Sequence, residues 1–83
     1  MASVEWTPRA LQDLEKIDRI TAERIAAKAM WLGENFAHIV HEGLHHDFGS
    51  SYKLRIGDYR AVYSIDGNVV TIQKVGHRRD VYK

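Results

Sequence analysis

From Tyr52 onward the apolar residues fall at every second position, and two short Gly/Asp segments break the run. That period belongs to a β-strand with one face buried and one face wet. Tyr52, Leu54 and Ile56 alternate with Lys53 and Arg55; Tyr59, Ala61, Tyr63 and Ile65 alternate with Arg60, Val62 and Ser64. Gly57-Asp58 suits a two-residue hairpin turn with Gly first, and Asp66-Gly67 suits a turn that needs positive φ. Val69 to Val75 is then a third strand. These turns set Arg55 opposite Arg60 and Leu54 opposite Ala61. They also predict Arg60 opposite Gln73, Ala61 opposite Ile72 and Tyr63 opposite Val70. One face carries Leu54, Ile56, Ala61, Tyr63, Val70 and Ile72. The other carries Lys53, Arg55, Arg60, Thr71 and Gln73, with Val62 and Val69 among them. A one-residue slip would bury the cations, so the register is strongly specified.

The first half has the helical period. Ser3–Trp6 alternates weakly, as a short strand does. Thr7-Pro8 reads as an N-cap followed by proline at the first helical position. Leu11, Leu14 and Ile17 recur at helical spacing, and Asp18 is placed to cap a second helix with the stripe Ile25, Ala29 and Leu32. That helix should end between Gly33 and Phe36, and residues 37–51 show no period and read as a loop. The expected fold is α+β, in the order β-α-α-β-β-β: an antiparallel sheet with a helical hairpin on one face. A chain of 83 residues makes one domain, residues 1–83. Its core is thin, because a domain of this size buries only about 60% of the surface its unfolded chain exposes.

Composition removes several function classes. The absence of cysteine rules out disulfides and thiolate zinc sites. The apolar runs fall far short of the roughly 20 residues a membrane span needs. Glu5, Arg9 and Asp13 interrupt any signal-peptide pattern, so a cytoplasmic location is expected. The net charge of +1 conceals an imbalance. Residues 1–43 hold five basic and seven acidic side chains, whereas residues 44–83 hold seven basic and four acidic. A basic half on a nearly neutral domain suggests a localised anion site. Arginine forks suit phosphate oxygens, and "GHRRDVY" adds Arg78, Arg79 and Tyr82 at one end of the sheet. On spacing alone a solvated basic face, with Tyr82 packing the terminus, fits equally well.

The last 32 residues, "YKLRIGDYRAVYSIDGNVVTIQKVGHRRDVYK", resemble the C-terminal half of the RelE/ParE toxin superfamily, and its RelE branch in particular. "LRIGDYRAVY" and "GHRRDVY" carry the likeness; Trp6 to Ile17 fits more loosely. The resemblance implies a fold like that of microbial ribonucleases. It also implies an mRNA interferase, the toxin of a type II toxin–antitoxin system, which cuts mRNA in the ribosomal A site by attack of the ribose 2′-OH, without metal or cofactor. It implies roles for Lys53, Arg55, Arg60, Arg78 and Tyr82. Arg60 and Arg78 would hold the phosphate, Tyr82 would help take the 2′-OH proton, and Lys53 or Arg55 would serve the leaving oxygen. Lys53 is the better acid, because arginine does not give up its proton. Lys74 and Arg79 would contact RNA. His77 departs from the family pattern; two readings stand for it, acid–base work, which an ordinary histidine pKa suits, and simply ending the strand. The implied partners are a cognate antitoxin, the ribosome and mRNA, with operator DNA reached only through the antitoxin.

Two other readings stay open. One is a ParE-like gyrase inhibitor without nuclease chemistry, against which the full set of cations with a terminal tyrosine argues. The other is an inactive member that only binds its antitoxin. The cluster His38, His41, Glu42, His45 and His46 matches no zinc spacing, and a solvated loop is expected there. Trp6 and Trp31 should pack, although Trp31 could instead meet a partner.

Overall fold

A computed structural model describes residues 1–43 and 51–82. Its elements are β1 (Ser3–Trp6), α1 (Pro8–Glu15), α2 (Arg19–Glu34), a 3₁₀ turn (Phe36–His38), β2 (Glu42–Gly43), β3 (Ser51–Ile56), β4 (Tyr59–Asp66) and β5 (Val69–His77). The sheet order is β1-β5-β4-β3-β2. The order of the main elements is the expected one. Two features differ. The expected loop contains β2, which adds a two-residue edge beside β3. The sheet is mixed rather than wholly antiparallel, because β1 lies parallel to β5 and covers an edge that would otherwise be unpaired.

Both helix starts follow from their caps. Thr7 Oγ1 accepts the Ala10 N–H at 3.1 Å, and Asp18 accepts the Thr21 N–H at 3.0 Å. Each satisfies a backbone donor that the first turn leaves without a partner. Ile25, Ala29 and Leu32 face inward and join Leu54, Ile56, Ala61, Tyr63, Val70 and Ile72 in one core. Leu11 is an exception to the helical stripe, being 49% exposed.

The β3–β4 register is the expected one, with Arg55 opposite Arg60 and Leu54 opposite Ala61. The β4–β5 register is not. Asp66 pairs with Val69, so the turn is Gly67-Asn68, with Gly67 supplying the positive φ of 61° as first turn residue. This moves every partner by two residues, so Tyr63 faces Ile72 rather than Val70. A two-residue shift preserves the faces. A bulge then changes them: Val62 pairs with Lys74 while Tyr63 pairs with Ile72, leaving Gln73 as the extra residue. Beyond it Arg60 pairs with Gly76, not Gln73, and Ala61 with Val75, not Ile72.

α1 serves the backbone groups around this bulge. Thr7 Oγ1 donates to the Gln73 carbonyl at 2.9 Å, and the Val75 N–H donates to Asp13 Oδ2 at 3.0 Å. The helical layer and the sheet are therefore pinned at the point where the ladder is irregular.

α2 packs closest at Gly33, whose carbonyl accepts the Ala2 N–H at 2.9 Å. A Cβ there would lie 2.8 Å from Val4 Cγ2 and 2.9 Å from the Ala2 carbonyl oxygen. Alanine favours a helix over glycine by about 1 kcal/mol, but backbone cannot move aside as a side-chain tip can. Gly33→Ala should therefore lower the unfolding free energy by about 1–3 kcal/mol in urea denaturation.

Candidate functional site: the basic face of the sheet

The face away from the helices carries two cross-strand rows. One runs Lys53, Val62, Lys74 and the other runs Arg55, Arg60, Gly76, across β3, β4 and β5. The bulge brings Lys74 to this face, since an unbroken ladder would set it opposite Ala61 on the core side. Gly76 gives the C-terminal tail somewhere to rest. A Cβ at Gly76 would lie 3.4 Å from Val81 Cβ, so the tail closes onto the sheet at this point. Val62 and Val81 are both buried, yet neither belongs to the main core. The tail turn is held by the Asp80 and Val81 N–H groups, which donate to the His77 carbonyl at 2.8 and 2.9 Å.

Like charges opposed across strands repel, and the two arginines avoid each other by turning apart. Arg60 Nη1 donates to the carbonyls of Gly57 and Tyr59, at 2.8 Å each. Arg55 Nη2 donates to Glu42 Oε2 at 3.2 Å. Lys53 Nζ lies 3.0 Å from the same oxygen, with its side chain only 17% exposed. The hydrogen bond from Lys53 and the charge of Arg55 hold the Glu42 carboxyl below its ordinary value of 4.5. Glu42 is therefore ionised at neutral pH, and acid releases the two cations only below that ordinary value.

Arg78 begins the tail at the β3–β4 turn. Its N–H donates to the Asp58 carbonyl at 2.8 Å, and its Nε lies 4.0 Å from Asp58 Oδ1. Tyr82 is 40% exposed at the end of the tail. Arg79 is exposed in the same turn. Lys53, Arg55, Arg60 and Lys74 thus share the face, and Arg78 stands at its turn end. His77 does not share it. Paired with Tyr59, it lies on the core side with its ring 5.6 Å from the Tyr59 ring. Its Nδ1 accepts the Arg79 N–H at 3.2 Å, which ties it to the tail.

Glu42 was missed in the sequence because it lies in a stretch with no period. The bulge was legible as two polar residues, Gln73 and Lys74, between Ile72 and Val75, where strict alternation allows one. Of the histidine cluster, His45 and His46 lie outside the described residues, and no three His, Asp or Glu converge among the described ones. Trp31, 39% exposed, lines a cleft of about 240 Å³ with Lys28, Glu42, Lys53 and Arg55. Lys28 Nζ lies 3.9 Å from its ring centroid, a cation–π contact. Among the described residues no helix is long and apolar enough to cross a membrane.

A family model described as the ParE toxin of the type II toxin–antitoxin system parDE matches residues 4–82. A chain of the RelBE2 toxin–antitoxin complex of Mycobacterium tuberculosis is 28% identical, with a TM-score of 0.82, over 93% of this chain and 98% of that one. The isolated E. coli RelE toxin is 26% identical, with a TM-score of 0.74, over 93% and 84%. A chain of the chromosomal ParDE system of P. aeruginosa is similar in fold, at 16% identity and a TM-score of 0.72, over 93% and 96%. No curated protein matches the chain.

Because Glu42 offsets one of the two positive charges of Lys53 and Arg55, Glu42→Gln should tighten binding of a short single-stranded RNA. The log–log salt slope should steepen by roughly 0.7 for each further phosphate engaged. Fluorescence anisotropy across a salt series measures both quantities.

Proposed function

The chain belongs to the ParE toxin family of type II toxin–antitoxin systems, within the RelE/ParE superfamily, and from that premise we propose that it is an endoribonuclease that cuts mRNA in the ribosomal A site. The observation that carries this proposal is the pair of cross-strand rows, which puts Lys53, Arg55, Arg60 and Lys74 on one face with Arg78 at its end. Such a face fits a phosphodiester, whose charge increases as a nucleophile adds to phosphorus.

The step is a transesterification. The ribose 2′-oxygen loses its proton and bonds to the adjacent phosphorus. The bond from phosphorus to the 5′-oxygen breaks, and that oxygen takes up a proton. The products are a 2′,3′-cyclic phosphate and a 5′-hydroxyl. Arg60 and Arg78 hold the phosphate, and Lys53 protonates the leaving oxygen. Tyr82 takes the 2′-OH proton in the role that the family resemblance implies. Glu42, an ionised carboxylate on the same face, is a second acceptor. Lys74 and Arg79 steady the RNA on either side. His77, turned to the other face and bonded to Arg79, supports the tail rather than the chemistry.

Few of these groups are poised on their own. Arg55 and Lys53 are engaged by Glu42, and Arg60 by the turn. A ribosome that presents the codon in a fixed pose supplies the missing alignment, and positioning accounts for a large share of such rate gains. The proposed inhibitor is a cognate antitoxin whose acidic segment complements the face, by analogy with the RelBE complexes of similar fold. Operator DNA would be reached only through that antitoxin, and the setting is the cytoplasm, where ribosomes work.

A second reading, gyrase inhibition without cleavage, is favoured by the family description, which names ParE. Primer extension on a reporter mRNA in reconstituted translation separates the two. Wild type should cut within A-site codons only when ribosomes are present, and Arg60→Ala or Arg78→Ala should lower cutting by at least about 100-fold, the lower range for losing an electrostatic donor. Growth arrest without cleavage would sink the nuclease proposal and favour gyrase.

A further inference from the structure

β2 is two residues long, too short to hold Glu42 against the sheet by its own ladder. What fixes it is the residue before it. His41 Nε2 lies 3.1 Å from the Phe36 carbonyl oxygen, which can only accept. His41 Nδ1 lies 2.8 Å from Tyr63 Oη. Tyr63 is 1% exposed, and burial, aided by Tyr52 and Glu42, pushes its hydroxyl up to about 12, so it is a donor at neutral pH. The directions follow. Nε2–H donates to the Phe36 carbonyl, so the neutral tautomer that fits this geometry carries its proton on Nε2 and accepts from the Tyr63 hydroxyl at Nδ1. The His41 ring also packs against Phe36 at 4.6 Å and against Tyr52 and Tyr63 at 5.9 Å each.

We propose that His41 is a positioning residue: bonded to Tyr63, it locks the strap from Phe36 to Gly43 and so delivers the Glu42 carboxylate to Lys53 and Arg55. The lock sets how much of the positive charge on the face is open to an anion, and it holds Lys53 Nζ in place. Its consequence for cleavage rests on the nuclease proposal. The lock itself does not, and can be read without any activity.

NMR on the purified full chain tests it. In the wild type at neutral pH, ¹⁵N shifts should show His41 protonated at Nε2. The Glu42 side-chain carbon should titrate below 4.5, the ordinary carboxyl value. In Tyr63→Phe and in His41→Phe that midpoint should return to about the ordinary value, while the amide spectrum stays dispersed. Binding of a 2′-O-methyl RNA, which cannot be cut by 2′-OH attack, should tighten about 2- to 10-fold, the effect of exposing one or two surface cations at low salt. Adding Tyr63→Phe to Glu42→Gln should give no further gain, because both remove one contact. General loosening of the fold would instead add. Should Tyr63→Phe fail to fold, the wild-type tautomer and His41→Phe still decide. His41 protonated at Nδ1, or a Glu42 midpoint unmoved in the folded variants, overturns the lock. Absence of cleavage by the wild type, with the Glu42 shift intact, overturns only the nuclease proposal.

Discussion

The bulge at Gln73 is the irregularity on which both layers depend. An unbroken β4–β5 ladder would place Lys74 opposite Ala61, inside the core, and Val75 opposite Arg60, in water. Burying an unpaired ammonium costs far more than a small domain can offset. The extra residue reverses both placements at once. It leaves ladder groups in need of partners, and α1 supplies them through Thr7 and Asp13. One local defect therefore joins the helices to the sheet, completes the basic face with Lys74, and opens the place at Gly76 where Val81 rests.

The opposed arginines have a physical resolution that needs no bound anion. Arg60 turns to two carbonyls and Arg55 to Glu42, so the repulsion expected across the strand pair is largely removed in the protein alone. Arg55 and Glu42 are both exposed, and exposed ion pairs add little to stability. Their effect is on the field above the sheet instead. A carboxylate between Lys53 and Arg55 lowers the general attraction for polyanions while keeping two donors oriented. Such a face can discriminate between a phosphate presented in register and one that drifts past, which suits a protein whose overall net charge is only +1.

Much of this was legible from residue order. The period change at Tyr52, the caps at Thr7 and Asp18, and the Arg55–Arg60 pairing all follow from local rules, and the fold follows from them. The second turn was misplaced by one residue because Asp66-Gly67 and Gly67-Asn68 both place glycine where φ can be positive. The faces survived that error because a two-residue shift preserves parity. They did not survive the bulge, which turns His77 to the Tyr59 side of the sheet. Glu42 and His41 were beyond sequence reasoning. Their roles come from contacts with Lys53 and Tyr63, eleven and twenty-two residues away in the chain, in a stretch that has no period of its own.

Family membership constrains the scaffold more tightly than the chemistry. The same β-sheet and helical hairpin occur in a RelE toxin at 26% identity and in a ParDE chain at 16%. What can differ between such chains is which side chains the open face carries, and a site is argued from those rather than from the fold. Here the face combines acceptors, a shielded lysine and arginines at fixed register positions. Lys53, 17% exposed and 3.0 Å from the Glu42 carboxylate, is a donor held in place rather than a free charge. In the proposed cleavage a general acid has to reach the leaving oxygen rather than its own counter-ion, so the substrate must first displace Glu42 from Lys53.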